Sequence, residues 1–313
     1  MNEASNIPLF TVFTPTFNRA HTLDRVYSSL QAQTCRDFEW VVVDDGSTDE
    51  TPQLLEGWRE EADFPIHYFR QENQGKHFAW NRGVQEAQGT LFTPIDSDDG
   101  CVPHALATFQ RRWEEIPRQE RGRFKGITCH AIDQNGALVG AEFPEDPLDL
   151  PEMDIRYVHG VTGDKWGFIR TEVLREFPMP EALPRRYMPE SILWNRISRR
   201  YLTRFVNERL LRVWTDAPSM TRGHSPARNA PGNLLVTRVD LNEHGDYLMR
   251  HPRHLLRAGA NYVRFSLHEG EGPPSQWRKL SGAPAHLAWG LGMVPGLLLY
   301  GRDRARFPNG RER

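Results

Sequence analysis

Cysteine is scarce in this chain: three in 313 residues, Cys35, Cys101 and Cys129. They lie far apart, with no CxxC pair and no histidine at zinc-ligand spacing, which excludes a disulfide framework or a structural zinc as the organising element. Buried thiols in a reducing compartment are the expectation. An excess of one charge is also missing. Lys and Arg number 39 against 41 Asp and Glu, a formal net charge of −2, so the balance does not point to nucleic acid. Arg and Lys thicken only after residue 185. The opening MNEASNIPLF has neither a basic start nor an apolar signal segment, and export by the general route is not expected. Internal repeats and low-complexity tracts are absent.

What remains is ordinary for a folded soluble protein: 38% hydrophobic and 26% charged residues, enough for one large core or two modest ones. LFTVFT (9–14) is a short β-branched and aromatic run, followed by a polar loop and then Leu23, Val26, Tyr27 and Leu30 at helical spacing. EWVVV (39–43) is apolar without alternation, as a central parallel strand covered on both faces would be. IHYF (66–69) is a third strand. Trp80, Val84 and Ala87 mark a helix stripe before the fourth, TLFTPI (90–95). This β-α-β-α-β order implies right-handed crossovers and a doubly wound parallel sheet. Ligands of such sheets sit beyond the carboxyl ends of the strands.

That rule gives the acidic loops their meaning. VVVDDGSTDET places Asp44 and Asp45 at the end of the second strand, and LFTPIDSDDG places Asp96, Asp98 and Asp99 at the end of the fourth. Each has a local explanation. Asp-Gly favours tight turns, Ser47 and Thr48 suit a helix cap, and Asp99 suits a helix beginning near Pro103. Three close carboxylates nonetheless repel one another unless a positive group sits among them.

TVFTPTFNRAHTLDRVYSSLQAQTCRDFEWVVVDDGSTDET followed by NQGKHFAWNRGVQEAQGTLFTPIDSDD resembles the nucleotide-sugar domain of the family 2 inverting glycosyltransferases, which have a GT-A fold. The resemblance is close over residues 7 to 110 and looser to about 215. It implies that Pro15 and Thr16 line the nucleotide pocket, with Asn18 and Arg19 in the same loop. It further implies that Asp45 accepts a hydrogen bond from the base, that Asp96 faces the ribose, and that Asp98 holds a divalent cation on the diphosphate. Asp99 is the alternative metal contact, and which of the two ligates stays open. Breaking a sugar C1–O bond leaves growing negative charge on a diphosphate, which a hard cation neutralises. Mg²⁺ or Mn²⁺ suits this carboxylate set. Lys76 is a candidate second positive contact to the donor, or a solvated lysine before a helix.

Inverting transfer also needs a general base for the acceptor hydroxyl. YVHGVTGDKWGFIRTEVL (157–174) reads as a glycine-containing loop, a strand over Trp166–Arg170 and a helix capped by Thr171. YMPESILWNRISRRY (187–201) reads as a helix opening at Pro189 and Glu190. The family implies an acidic residue at the start of that helix as the base, usually with an Asp behind it. Here Ser191 follows Glu190, so one carboxylate is available. Glu190 is the candidate base and Asp164 the second; His159 and Lys165 rank below. A helix-opening acid is also favoured by the macrodipole alone.

QRRW (110–113) invites comparison with a processive-synthase signature but is one residue short, and Trp113 fits a core stripe with Leu106 and Phe109. TRFV (203–206) and RLLRVW (209–214) read as the last strands of the catalytic part. The loop after them holds Arg222 and His224, the residues there most able to touch phosphate. From about 233 the pattern turns helical. Ala283–Tyr300 is almost uncharged but broken by Pro284 and Pro295. It is expected at a membrane interface, with Trp289 and Tyr300 at headgroup level and Arg302, Arg304 and Arg306 outside, or packed onto the catalytic domain.

The expectation is therefore an α/β GT-A-like doubly wound mixed sheet with a helical C-terminal extension: 1–110 as nucleotide-sugar half, 111–230 as acceptor-side half, 231–313 as extension. The function expected is metal-dependent inverting transfer of a sugar, from a UDP-sugar first, to a hydroxyl of a glycan or lipid-linked glycan acceptor. The location expected is cytoplasmic, peripheral on the inner face of the plasma membrane through 283–306. A sugar-nucleotide-binding scaffold without turnover is the rival, and a sugar nucleotidyltransferase a weaker one, since TPTFNRAHT contains no glycine.

Overall fold

Continuous β-branched and aromatic runs in this sequence become the middle of a sheet. In the computed structural model, which describes residues 7–216 and 226–307, the strands are β1 (Phe10–Thr16), β2 (Phe38–Asp44), β3 (Ile66–Arg70), β4 (Leu91–Pro94), β5 (Gly100–Cys101), β6 (Phe124–Ile132), β7 (Leu148–Leu150), β8 (Lys165–Arg170) and β9 (Leu202–Arg212). Among them run α1 (Asp24–Gln31), α2 (Thr51–Glu61), α3 (Lys76–Glu86), α4 (Ala105–Glu114), α5 (Glu152–Tyr157), α6 (Thr171–Glu176) and α7 (Ser191–Ser198). The last part is helical: α8 (Ala230–Glu243), α9 (Gly245–Met249), α10 (Pro252–His268), α11 (Pro273–Arg278) and α12 (Gly282–Arg306). Contacts gather these residues into two compact units, 7–181 with 196–216 and 182–195 with 226–307.

In the first unit the strand order is β3-β2-β1-β4-β8-β6-β9-β5, with β7 also on β9. β1 to β4 are mutually parallel where they pair, β8 is antiparallel to both β4 and β6, and β6 and β9 are parallel, so the sheet is mixed as expected. β1 and β2 are buried along their whole length, which is why their sequences lack alternation. Under them lies an aromatic layer in which Tyr27 stacks on Trp58 at 4.4 Å and Trp40 donates from its indole to the Thr14 hydroxyl. Trp113 is core, against Phe168. All three cysteines are free thiols; Cys101 and Cys129 are buried and Cys35 is half-buried.

Four local expectations need correction. The segments 203–206 and 209–214, expected as two strands, give one, β9, which ends at Arg212. It advances from Phe205 to Arg209 while β6 advances only from Thr128 to His130, and this bulge carries polar Asn207 and Glu208 past a continuous ladder. Thr171 does not cap α6; it is the first helical residue, and its hydroxyl donates to the Gly89 carbonyl at 2.5 Å. The helix expected near Pro103 starts at Ala105, because Gly100 and Cys101 first pair with β9. Pro295 does not break the last helix. α12 runs unbroken from Gly282 to Arg306, with Pro284 in its first turn, where the missing N–H has no intrahelical partner to lose. The carbonyl that Pro295 leaves without its usual donor belongs to Leu291, which is 53% exposed and so can be hydrated.

In the second unit α10 and α12 meet through small residues. A Cβ on Gly259 would come within 1.9 Å of the Ala288 carbonyl oxygen, and one on Gly292 within 2.2 Å of the Gly259 carbonyl carbon. One face of α12 is thereby consumed within this unit. Trp289 is not free for a headgroup layer: its indole donates to Gln276 at 2.9 Å and lies edge-on to Trp277. Tyr300 packs edge-on against His268.

Candidate active site

The carboxyl ends of β1, β2 and β4 stand side by side because β1 is flanked by β2 and β4 in parallel. Their loops carry the residues singled out in the sequence. Pro15 and Thr16 close β1, both buried, and the Thr16 hydroxyl has no hydrogen-bond partner among the described residues. Asn18 takes a left-handed conformation (φ 53°), its N–H donating to the Ser47 hydroxyl and its side-chain oxygen accepting from the Thr48 N–H, each at 2.8 Å. Ala20 N–H donates to Asp49, which also accepts from the Thr51 N–H. Neither Ser47 nor Thr48 caps α2, whose N-cap is Glu50 without a side-chain cap bond, and the first two loops are cross-braced.

Asp45 is 5% exposed and occupied from the third loop. One of its oxygens accepts from Gln71 Nε2 at 2.8 Å and the Gln74 N–H at 2.9 Å, and the other from the Gly75 N–H at 2.7 Å. Of roughly four lone-pair sites on a carboxylate, one stays open.

Asp96, Asp98 and Asp99 converge, with one carboxylate oxygen from each lying within 4.8 Å of the others. The Lys76 ammonium, at the first position of α3, lies 2.8 Å from Asp96, and Arg19 lies 3.6 Å from Asp98. Lys76 is therefore part of the cluster and not a solvated surface lysine. Burial, then repulsion from Asp96, raise the Asp98 carboxyl above its ordinary range against the pull of Arg19. Asp99 is pushed up to about 8 by burial and by repulsion from Asp96 and Asp98. Asp164 adds to that repulsion from the exposed loop before β8, so the sheet brings it towards the cluster. Asp98 and Asp99, hard oxygen donors held above their ordinary range by burial and by neighbouring carboxylates, are the donor set that a divalent cation relieves. The residues present fit such an ion.

Arg25 and Trp214 were not anticipated. The Arg25 guanidinium donates to the Asp98 carbonyl at 3.1 Å, forks onto Asp216 at 2.9 and 2.6 Å, and lies 4.9 Å from the Trp214 ring centre. The Trp214 N–H donates to Asp99 at 3.2 Å. The end of β9 is thus fastened to the acidic loop. Glu190 precedes α7 as expected, its carbonyl accepting from the Leu193 N–H at 2.9 Å. It belongs to the second unit, and the acidic cluster to the first. His159 is exposed, and burial lowers the Lys165 ammonium, which donates to the Thr162 carbonyl at 3.0 Å. Arg222 and His224 lie outside the described residues.

A mixed sheet whose parallel half presents acidic loops at its carboxyl edge is a GT-A fold. The crystal structure of Staphylococcus aureus TarS 1-349 in complex with UDP-GlcNAc shares it, with a TM-score of 0.62 and 18% identity over 95% of this chain and 91% of that one. Residues 11–119 match the family model "Glycosyl transferase family 2". A Campylobacter jejuni GalNAc(5)-diNAcBac-PP-undecaprenol beta-1,3-glucosyltransferase is 34% identical over 111 residues, 35% of this chain and 36% of that protein. An uncharacterized glycosyltransferase of Nostoc sp. is 38% identical over 166 residues, 52% of this chain and 49% of that one. The chain therefore spans half or less of the length of these relatives.

Proposed function

We infer that this protein transfers a sugar from a nucleotide-sugar to a hydroxyl group with inversion at C1, using a divalent cation. The observation that carries the reading is the meeting of Asp96, Asp98 and Asp99 with Arg19 and Lys76 at the carboxyl edge of the parallel strands. Asp98 and Asp99 would hold Mg²⁺ or Mn²⁺, which when bound supplies charge neutralisation for the departing diphosphate. The chain's own groups do the rest. The loops after β1 and β2 position the nucleotide with Pro15, Thr16, Asn18 and the open site of Asp45. Lys76 and Arg19 offset diphosphate charge. Glu190 accepts the proton of the acceptor hydroxyl, with Asp164 as the second candidate, shaping the acceptor side or taking that proton itself.

UDP-sugar is the first donor, in line with the ligand of the TarS structure. A lipid-linked glycan is the acceptor class suggested by the undecaprenol-linked substrate in the name of the Campylobacter relative. Its setting would be the cytoplasmic face of a membrane. The scaffold reading keeps one observation in its favour, the single carboxylate Glu190 followed by Ser191.

The test is release of nucleoside diphosphate from a panel of UDP-, GDP- and dTDP-sugars, with Mn²⁺ or EDTA. Metal-dependent release from one donor, lost in Asp98→Ala, is the expected result. Metal-dependent binding of a donor without turnover, in the presence of lipid-linked acceptors, would favour the scaffold. No affinity for any donor would sink the assignment.

A further inference from the structure

The second unit contains a cavity of about 620 Å³, whose lining takes in Pro189 and Ser191 on either side of Glu190. It opens between α8, α10 and α12, and its lining includes Asn233 on α8, Arg253, Leu256 and Arg257 on α10, and Pro295 and Leu299 on α12. Its volume is in the range of small-ligand sites. Arg253 and Arg257 stand one turn apart on its rim, exposed, with no carboxylate partner among the described residues. Arg264, deeper in the lining, is spent on a two-pronged pair with Asp303. The cavity thus offers two uncommitted cations beside an apolar wall.

Next to that wall α12 carries an uncovered apolar face. Leu287, Leu291, Val294 and Leu298, spaced i, i+4, i+7 and i+11, are 45, 53, 66 and 70% exposed, and Leu297 beside them 48%. Along the helix this stripe is roughly 17 Å long. The opposite face of α12 is locked to α10 through Gly259, Gly292 and Gly296. α12 is long and apolar enough to cross a membrane by length and composition, with a mean hydropathy of 1.2 in its best window. It cannot enter hydrocarbon alone, however: α10 would follow, carrying Arg253, Arg257 and Arg264, which is costly at the bilayer centre. A helix pair of this kind lies in the interface, with the stripe in the acyl boundary and the cations among the headgroups.

We propose that the groove between α8, α10 and α12 binds the phosphate group of an anionic lipid, Arg253 and Arg257 holding the phosphate while the Leu287–Leu298 stripe lies against the acyl layer. Cation and apolar stripe on adjacent faces match a molecule that is itself anionic at one end and apolar along the rest. Free phosphate would use the arginines and leave the stripe in water. The proposal rests on the transferase reading only for the idea that such a lipid also carries the acceptor; the binding itself does not.

The test is flotation of the full chain with vesicles of phosphatidylcholine alone and of an equimolar phosphatidylcholine–phosphatidylglycerol mixture, with donor hydrolysis measured on the same preparations so that the two readings fail separately. Wild type is expected to float with the mixed vesicles. Arg253→Gln with Arg257→Gln should weaken this by about 30-fold, the product of two headgroup-level cations. Val294→Asp with Leu298→Asp should abolish it, with circular dichroism and Tm unchanged because both positions are exposed. Three results would overturn the proposal: no flotation of wild type, flotation indifferent to the arginine pair, or vesicle binding by the Asp variant equal to wild type with inorganic diphosphate competing for the arginines.

Discussion

Asp99 shows how a residue is held in readiness for something else. Its carboxyl is half-buried beside two others and receives one backbone N–H, from Trp214, so in the metal-free protein its ionisation is unfavourable. Asp99→Asn should therefore raise Tm in EDTA while weakening Mn²⁺ binding, seen by scanning calorimetry and a metal titration; a lower Tm in EDTA would mean that the carboxylate is structural. Loss of metal-assisted charge neutralisation in Asp98→Ala should cost about 10²- to 10⁴-fold in kcat. For Glu190→Gln the expected loss in transfer is also about 10²- to 10⁴-fold, with donor KM near that of wild type. Unchanged transfer by Glu190→Gln would move the base to Asp164. The residues of this site that were legible in the sequence, Asn18, Asp45, Lys76 and the acidic triplet, sit within a few positions of a strand end. Arg25 was not legible, because its partner Asp216 is 191 residues away and nothing in a helix sequence announces such a contact.

At the scale of elements, the strands β1, β2 and β4 could be read because burial on both faces leaves a continuous apolar run. β5 and β7 could not, since two- and three-residue strands exist only by pairing with β9. The prolines of α12 also misled, because sequence does not show the glycine seam that fixes the helix to α10. That seam makes a prediction: Gly292→Val drives a side chain into the Gly259 backbone, and overpacking of this kind typically costs about 1–3 kcal/mol, to be read as a lower denaturation midpoint. Asp303 makes another. Burial works to raise its carboxyl, but hydrogen bonds from Arg264 and His268 outweigh it and hold the group below its ordinary value. A depressed carboxyl contributes stability above its unfolded pKa, about 3.9, and that stability fades as pH falls through the lower folded value. Asp303→Asn should thus lose about 2–3 kcal/mol at neutral pH and lose little further on acidification, which urea melts at pH 7 and pH 3 would show.

For the whole molecule, each unit has a core of its own, one built on Trp40 and its aromatic neighbours and the other on Tyr262 and Leu255. A ligand that binds one unit stabilises that unit's native state by mass action, about 2.7 kcal/mol at a hundredfold excess over Kd. UDP with Mn²⁺ should accordingly raise the melting of the sheet unit, and Gly292→Val should lower that of the helical unit, as two separable shifts in one calorimetric scan. A single transition moved by both would mean that the units unfold together. Residues 182–195 cluster with the helices that follow β9 although a strand separates them in the chain, a long-range grouping that local sequence patterns do not announce.

The cross-bracing around Asn18 bears on how a nucleotide is received. Its amide holds Ser47, its side chain holds Thr48, and Asp49 reaches back to Ala20, so the two loops cannot shift independently. Ordering them costs free energy during folding and not at the moment of binding. The entropy change on binding should then report released water more than stiffened backbone, and an Asn18→Ala protein, with its loops freed, should bind the same nucleoside diphosphate with a more unfavourable entropy.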